Sequence, residues 1–199
     1  MSWISPPTVR APRSRVCRGG HVPVEIDARL HGRLLELARS RNASLFMVLH
    51  AALATLLGRL SGGDDIVVGS PVAGRGEPGL EPLVGMFVNT LALRTPLDRE
   101  QSFVELLGQV RDTDLHAYEH GDVPFERIVE ELNPQRSTAH HPLFQVALAF
   151  QNLSKVDVQL PEVAVSRAQA DTGVCQFDLQ LVVADATATT VPPRASRAR

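Results

Sequence analysis

Two pairs of histidines are the first residues in this chain whose spacing could do chemistry. His116 and His120 stand four apart, so a helix would put both on one face, a spacing that can bind a metal. The residues between them do not form HExxH, and no third ligand is evident in the sequence. Basic side chains at a helix C-terminus are favoured by its dipole, and a helix-end role is the expectation. His140 and His141 are adjacent, as in a general-base motif, but they directly precede Pro142 and an apolar run. A loop leading into a strand is expected there. Asp64-Asp65 follows Gly62-Gly63 and reads as a turn cap. Ser70 sits in Gly-Ser-Pro rather than the GxSxG of a nucleophile elbow. The glycine-rich run from Gly69 to Gly79 contains neither GxxxxGK[ST] nor GxGxxG, so no phosphate cradle is predicted.

The body that must position these groups is ordinary in composition. The chain has 199 residues, 44% apolar and 21% charged, enough for one domain with a real core. Its formal net charge is -2. The charge is unevenly spread: residues 1–20 and 192–199 hold seven arginines and no acid, which leaves 13 basic against 22 acidic groups between them. An acidic body with short basic ends is not a basic groove, and no nucleic-acid partner is expected. Cys17 and Cys175 lie far apart, with no CxxC, so no disulfide framework is predicted. The start lacks a signal-peptide layout. The most apolar segment, Leu45 to Leu57, contains His50 and is shorter than the ~20 residues a bilayer needs. No membrane partner and a cytoplasmic location are the expectations.

Periodicity orders the elements. Residues 1–23 are rich in Pro, Arg, Ser and Gly and read as an irregular lead-in. From Asp27 to Ser40 a helix is predicted on Leu30, Leu34, Leu35, Leu37 and Ala38. Asn42 and Ser44 offer a break and an N-cap. A second helix buries Leu45, Val48, Leu49, Ala52, Leu53, Leu56, Leu57 and Leu60 and stops at Ser61-Gly62-Gly63. Asp65 to Ser70 is a strand closed by Pro71, and Met86 to Arg94 is again extended. Ser102 and Glu105 form a capping box for a third helix that buries Phe103, Leu106, Leu107 and Val110. Pro124 suits the first turn of a fourth, burying Phe125, Ile128, Val129 and Leu132. Leu143 to Phe150 fits a strand buried on both faces. Two short strands around Pro161 and a half-buried strand from Cys175 to Val183 follow. Residues 24–183 thus form one α/β layered domain, a sheet with helices against it, and 184–199 read as a disordered tail.

Four blocks in order carry a resemblance. They are Val67-Val68-Gly69-Ser70-Pro71-Val72-Ala73-Gly74-Arg75, Val84-Gly85-Met86-Phe87-Val88-Asn89-Thr90-Leu91, His120-Gly121-Asp122-Val123-Pro124-Phe125-Glu126 and His140-His141-Pro142-Leu143-Phe144-Gln145-Val146. Together they resemble the second half of the condensation domain of nonribosomal peptide synthetases. Ser44 to Leu49 and Phe177 to Leu179 extend the similarity, which covers roughly Val16 to Leu181. That family does its chemistry with HHxxxDG in its first half. Starting at His140, the motif would need Asp at 145 and Gly at 146, where this chain has Gln145 and Val146.

The resemblance implies a chloramphenicol-acetyltransferase-like fold, of which this chain would be the C-terminal lobe of a two-lobed, here incomplete, domain. In the family, two carrier proteins bring substrates on phosphopantetheine arms into a tunnel between lobes, and an amide forms. The implied partners are peptidyl and aminoacyl carrier proteins, an N-terminal condensation lobe and neighbouring synthetase domains. No cofactor is expected to be bound by the chain itself, and no catalytic residue is expected within it. The resemblance places residues 71–90 near a floor loop and part of 152–174 in a latch. It makes Arg75, Asn89, Thr90, His120 and Asp122 tunnel or lobe-interface positions. Arg75 and Asn89 either orient a thioester or hold the loop; His120 and Asp122 are expected to shape a helix start. Two other readings stand beside this one: a non-catalytic docking module, and a truncated epimerisation-type domain.

Because the histidine pairs lack a third ligand in the pattern and no phosphate loop is present, the purified chain should hold no stoichiometric transition metal and bind no nucleotide. Elemental analysis and a nucleotide titration check this; a metal at His116 and His120 would contradict it.

Overall fold

The computed structural model describes residues 19–76, 79, 80, 82–134, 140–151 and 173–184. Within them lie four helices, α1 (Ala28–Ser40), α2 (Leu45–Ser61), α3 (Phe103–Glu119) and α4 (Phe125–Leu132). Four strands, β1 (Asp65–Val72), β2 (Asn89–Pro96), β3 (Val146–Gln151) and β4 (Leu179–Ala184), form one sheet in the order β2-β1-β3-β4. β1 and β2 are an antiparallel hairpin in register from Asp65↔Pro96 to Val72↔Asn89. β3 runs parallel to β1 and to β4. The predicted lead-in, latch, strands around Pro161 and tail fall largely outside the described residues.

Local chemistry sets the helix ends. Asp27 accepts from Leu30 N at 2.7 Å and starts α1. Ser44 accepts from Met47 N at 3.2 Å and starts α2, which ends at Gly62 in the left-handed region, φ 71°. Ser102 and Glu105 form the reciprocal box predicted for α3, at 3.3 Å and 2.7 Å. The N–H of Ser102 and then its hydroxyl hold the Glu105 carboxyl below its ordinary pKa.

The core lies between the sheet and the α2–α3 pair. Val48, Ala51, Ala54, Leu57, Val68, Leu93, Leu107, Val110 and Leu148 are all within 1% of full burial. β3 is the buried parallel strand that its unbroken apolar run predicts. Three expectations are corrected. The buried face of α2 is rotated from the predicted stripe: Phe46, His50 and Ala51 are inside, while Leu56 and Leu60 are 51% and 56% exposed. Leucines are so dense on α2 that period alone picks out two faces, and the sheet selects one. Leu132 of α4 is 62% exposed, and no α4 residue is fully buried, although the helix start is tied to β2 through the Phe125 N–H. Phe103 is 37% exposed in the first turn of α3. Boundaries also moved: Pro71 lies inside β1, and the extended segments begin at Asn89 and Leu179.

One polar group was invisible as such in the sequence. His50 sits fully buried in α2, with its Nδ1 2.9 Å from Oδ1 of Asp114, also fully buried, in α3. Its Nε2 is 3.3 Å from the Thr95 hydroxyl on β2. With Nδ1–H donating to the carboxylate, the Thr95 O–H donates to Nε2, and both ring nitrogens are served. The triad connects two helices and the sheet through the centre of the core. Burial, with a lesser push from Asp114, also raises the pKa of Tyr118, one helical turn further along α3.

Removing one member strands the others in a low-dielectric site. His50→Ala or Asp114→Ala should cost about 3–5 kcal/mol by urea denaturation. The triple change His50→Leu, Asp114→Leu and Thr95→Val should cost far less than the sum of the single changes. Additive losses would contradict the coupling.

Candidate functional site

The β1–β2 hairpin does not close in a tight turn. Its connection runs from residue 73 to 88 and is braced from within. Arg75 follows β1 by three residues. Its guanidinium donates to the carbonyls of Leu80, Leu83 (2.9 Å) and Gly85 (3.4 Å). The same group lies 4.2 Å over the Phe87 ring, a cation–π contact. Gly74 has φ 63°, and a Cβ there would overlap the Phe87 carbonyl oxygen. The loop is thus wrapped around a half-buried arginine, while Val84 and Met86 are 103% and 89% exposed. A loop held this firmly with its apolar side chains outward is a presented surface.

Asn89 opens β2 and is the busiest side chain of the region. Its Nδ2 donates to the carbonyls of Gly121 at 2.9 Å and Val123 at 2.7 Å. Its Oδ1 accepts from Thr90 N at 2.8 Å and Phe125 N at 3.2 Å. A carboxamide has two N–H donors and two acceptor lone pairs, and all four are used. One of them satisfies the first N–H of α4, whose N-cap Pro124 supplies no side-chain bond. Asn89-Thr90 and His120 to Phe125, separated by some thirty residues, are therefore one structural unit.

The other predicted positions are plainer. Thr90 sits opposite Pro71 in the hairpin. His120 is the C-cap of α3, its N–H bonded to the His116 carbonyl, and the next N–H, that of Gly121, is bonded to the Tyr118 carbonyl. His120 and Asp122 are exposed, and among the described residues neither side chain shows a partner. The structure joins Asn89 to this turn through its backbone, not through the two titratable groups. The five candidates thus gather at one end of the sheet, where the hairpin loop and the α3–α4 turn meet.

Beside them lies an aromatic cluster that sequence reading did not assemble. His141 is 4.2 Å from the Phe144 ring, 5.3 Å from Phe125 and 5.4 Å from Phe177. Gln145 brackets its backbone, accepting from His141 N at 3.1 Å and donating to His141 O at 2.7 Å. A Cβ on Gly69 would overlap the Phe144 ring, so β1 needs glycine there. Phe125 and Phe144 come from two of the four sequence blocks, and Phe177 from the segment just before β4. Their gathering around His141 could not be read from periodicity.

Comparison with known proteins follows this geometry closely. A family model described as Condensation domain matches residues 4–191. The chain is 49% identical over 167 residues to a dimodular nonribosomal peptide synthase of Bacillus subtilis; the match covers 84% of this chain and 7% of that protein. It is 31% identical to the X-domain from teicoplanin biosynthesis, with a TM-score of 0.82 over 90% of this chain and 40% of that one. A solved complex of the X-domain and OxyB from the same biosynthesis gives 32% identity and a TM-score of 0.80, over 90% of this chain and 39% of that one. The chain thus spans well under half the length of each of these relatives.

The Asn89 network is testable without any substrate. Asn89→Ala should lower stability by about 2–3 kcal/mol, since it strands two carbonyls and two N–H groups. It should also abolish hydrogen-exchange protection at Phe125 N–H. Asn89→Asp keeps both acceptors but sets a carboxylate against the carbonyls of Gly121 and Val123. Protection at Phe125 should survive in it, with a comparable loss of stability.

Proposed function

The chain belongs to the condensation-domain family, and on that premise we propose that it acts as the C-terminal lobe of a nonribosomal peptide synthetase condensation domain. In this reading it forms one wall of a tunnel in which carrier-bound substrates are joined by an amide. The observation that carries the reading is the use to which the characteristic polar residues are put. Arg75 spends its donors on carbonyls of the hairpin loop, and Asn89 spends all four of its bonds on the chain itself. Such residues shape a wall and leave no free base to take a proton from an attacking amine. A general base needs a side chain within hydrogen-bond reach of that amine. In this reading the histidine of HHxxxDG supplies that contact from a separate lobe.

The proposed division of labour is physical. Carrier proteins deliver an aminoacyl and a peptidyl thioester on phosphopantetheine arms. Holding both in register can supply roughly 7–11 kcal/mol of the barrier. The braced loop with Leu83, Val84, Met86 and Val88 outward offers an apolar surface for closing the tunnel against its partner lobe. Its preorganisation by Arg75 lowers the entropy lost on closure.

A second reading has one specific support: a similar structure, the X-domain, was solved in complex with OxyB. On that reading the same scaffold binds a protein partner without catalysing condensation.

An assay with two loaded carrier proteins separates the readings. The chain alone should give no amide above background. Addition of a matched lobe carrying HHxxxDG should restore turnover, and Asn89→Ala should reduce it. Turnover by the chain alone would overturn the proposal; stable partner binding with no turnover in any combination would favour the docking reading.

A further inference from the structure

The described residues include two methionines, and the fold treats them in opposite ways. Met47 lies in the first turn of α2, 6% exposed, and its Sδ accepts from the Ser44 N–H at 3.3 Å. Met86 lies in the β1–β2 connection and is 89% exposed. Leu83, Val84 and Val88 are turned outward with it. Those three side chains are aliphatic and resist oxidants. The thioether of Met86 does not.

The brace of the loop keeps Met86 outward. Arg75 holds the residue before it through the Gly85 carbonyl at 3.4 Å, and the residue after it through the Phe87 ring at 4.2 Å. Gly74, at φ 63°, lets the backbone pass so close to the Phe87 carbonyl that a Cβ there would overlap it. With both flanks held, the sulfur stands in solvent whenever nothing covers the loop. A methionine gives a contact surface an adaptable apolar tip. Its sulfoxide is polar and disrupts such contacts.

We propose that Met86 is a redox-sensitive modification site, and that its oxidation by peroxide blocks closure of this loop against the partner lobe. The inference rests on the reading of the loop as the surface that closes the tunnel. In the step, the thioether sulfur attacks one oxygen of hydrogen peroxide. The O–O bond breaks and an S–O bond forms. Sulfur loses two electrons, the peroxide is reduced, and its second oxygen leaves as water. The sulfoxide puts a strong hydrogen-bond acceptor at the tip of an apolar surface, and desolvating it on docking costs affinity. Docking covers the sulfur, so the site reacts while the lobes are apart. Met47 is spared, because its sulfur is packed in the core and already engaged, and the fold survives the same treatment.

The test treats the full chain with dilute hydrogen peroxide and maps the products by peptide mass spectrometry. The treated and untreated chains are then titrated by calorimetry with a matched N-terminal lobe carrying HHxxxDG. Met86 should oxidise about tenfold or more faster than Met47, with the melting temperature unchanged. The oxidised chain should bind the lobe about tenfold or more weakly than the untreated chain, the scale of one lost apolar contact. Met86→Leu should keep its own affinity through the same treatment, which separates Met86 from other oxidisable groups such as the Cys175 thiol. Equal oxidation of the two methionines, unchanged affinity after oxidation, or a loss in Met86→Leu equal to the parent's would each overturn the inference and leave the tunnel-wall reading standing. Failure of the untreated chain to bind the lobe would overturn both.

Discussion

A carboxamide can make four hydrogen bonds, and Asn89 makes all of them within this chain. That one side chain sets where α4 begins, because its Oδ1 accepts from the Phe125 N–H while Pro124 offers no side-chain cap. It also sets how far the α3–α4 turn stands from β2, because both of its donors end on that turn's carbonyls. Phe125 is thereby delivered to Phe144, and Phe144 to the space above Gly69. Asn89, Phe125, Phe144 and Gly69, far apart in sequence, form a single chain of contacts that starts from this residue.

A second polar tie works at the other end of the sheet by a different logic. His50, Asp114 and Thr95 are shut away from water, and their attraction must offset the cost of desolvating them. Such a group contributes less to net stability than to uniqueness: only one mutual placement of α2, α3 and β2 satisfies it. The rotated burial of α2 is consistent with this, since the face carrying His50 is the one turned inward although leucines crowd the other. The two ties bracket the hairpin, leaving its long connection to be organised locally by Arg75.

Much of this was legible beforehand. The capping boxes, the glycine stop at Gly62 and the buried character of β3 are short-range chemistry, written in residues a few positions apart. The membership of the condensation family was legible from four ordered blocks. Less legible were the depths of Phe103, Leu56 and Leu132, because burial depends on which neighbours arrive, and period reports only that a face exists. The roles of Arg75 and Asn89 stood open between orienting a substrate and holding the loop. Their bonds run to the chain's own carbonyls and N–H groups, and these partners come from loop geometry that no pattern encodes.

The sequence by itself determined the kinds of element, their order and the family, since propensity, capping and motif identity are carried by neighbours along the chain. Tertiary structure alone decided that His50 meets Asp114 across 64 residues and that Asn89 holds a turn more than thirty residues away. The physical reason is the same in each case. Hydrogen bonds and desolvation act over a few ångströms in space, and separation along the chain says nothing about that distance until the sheet has been ordered.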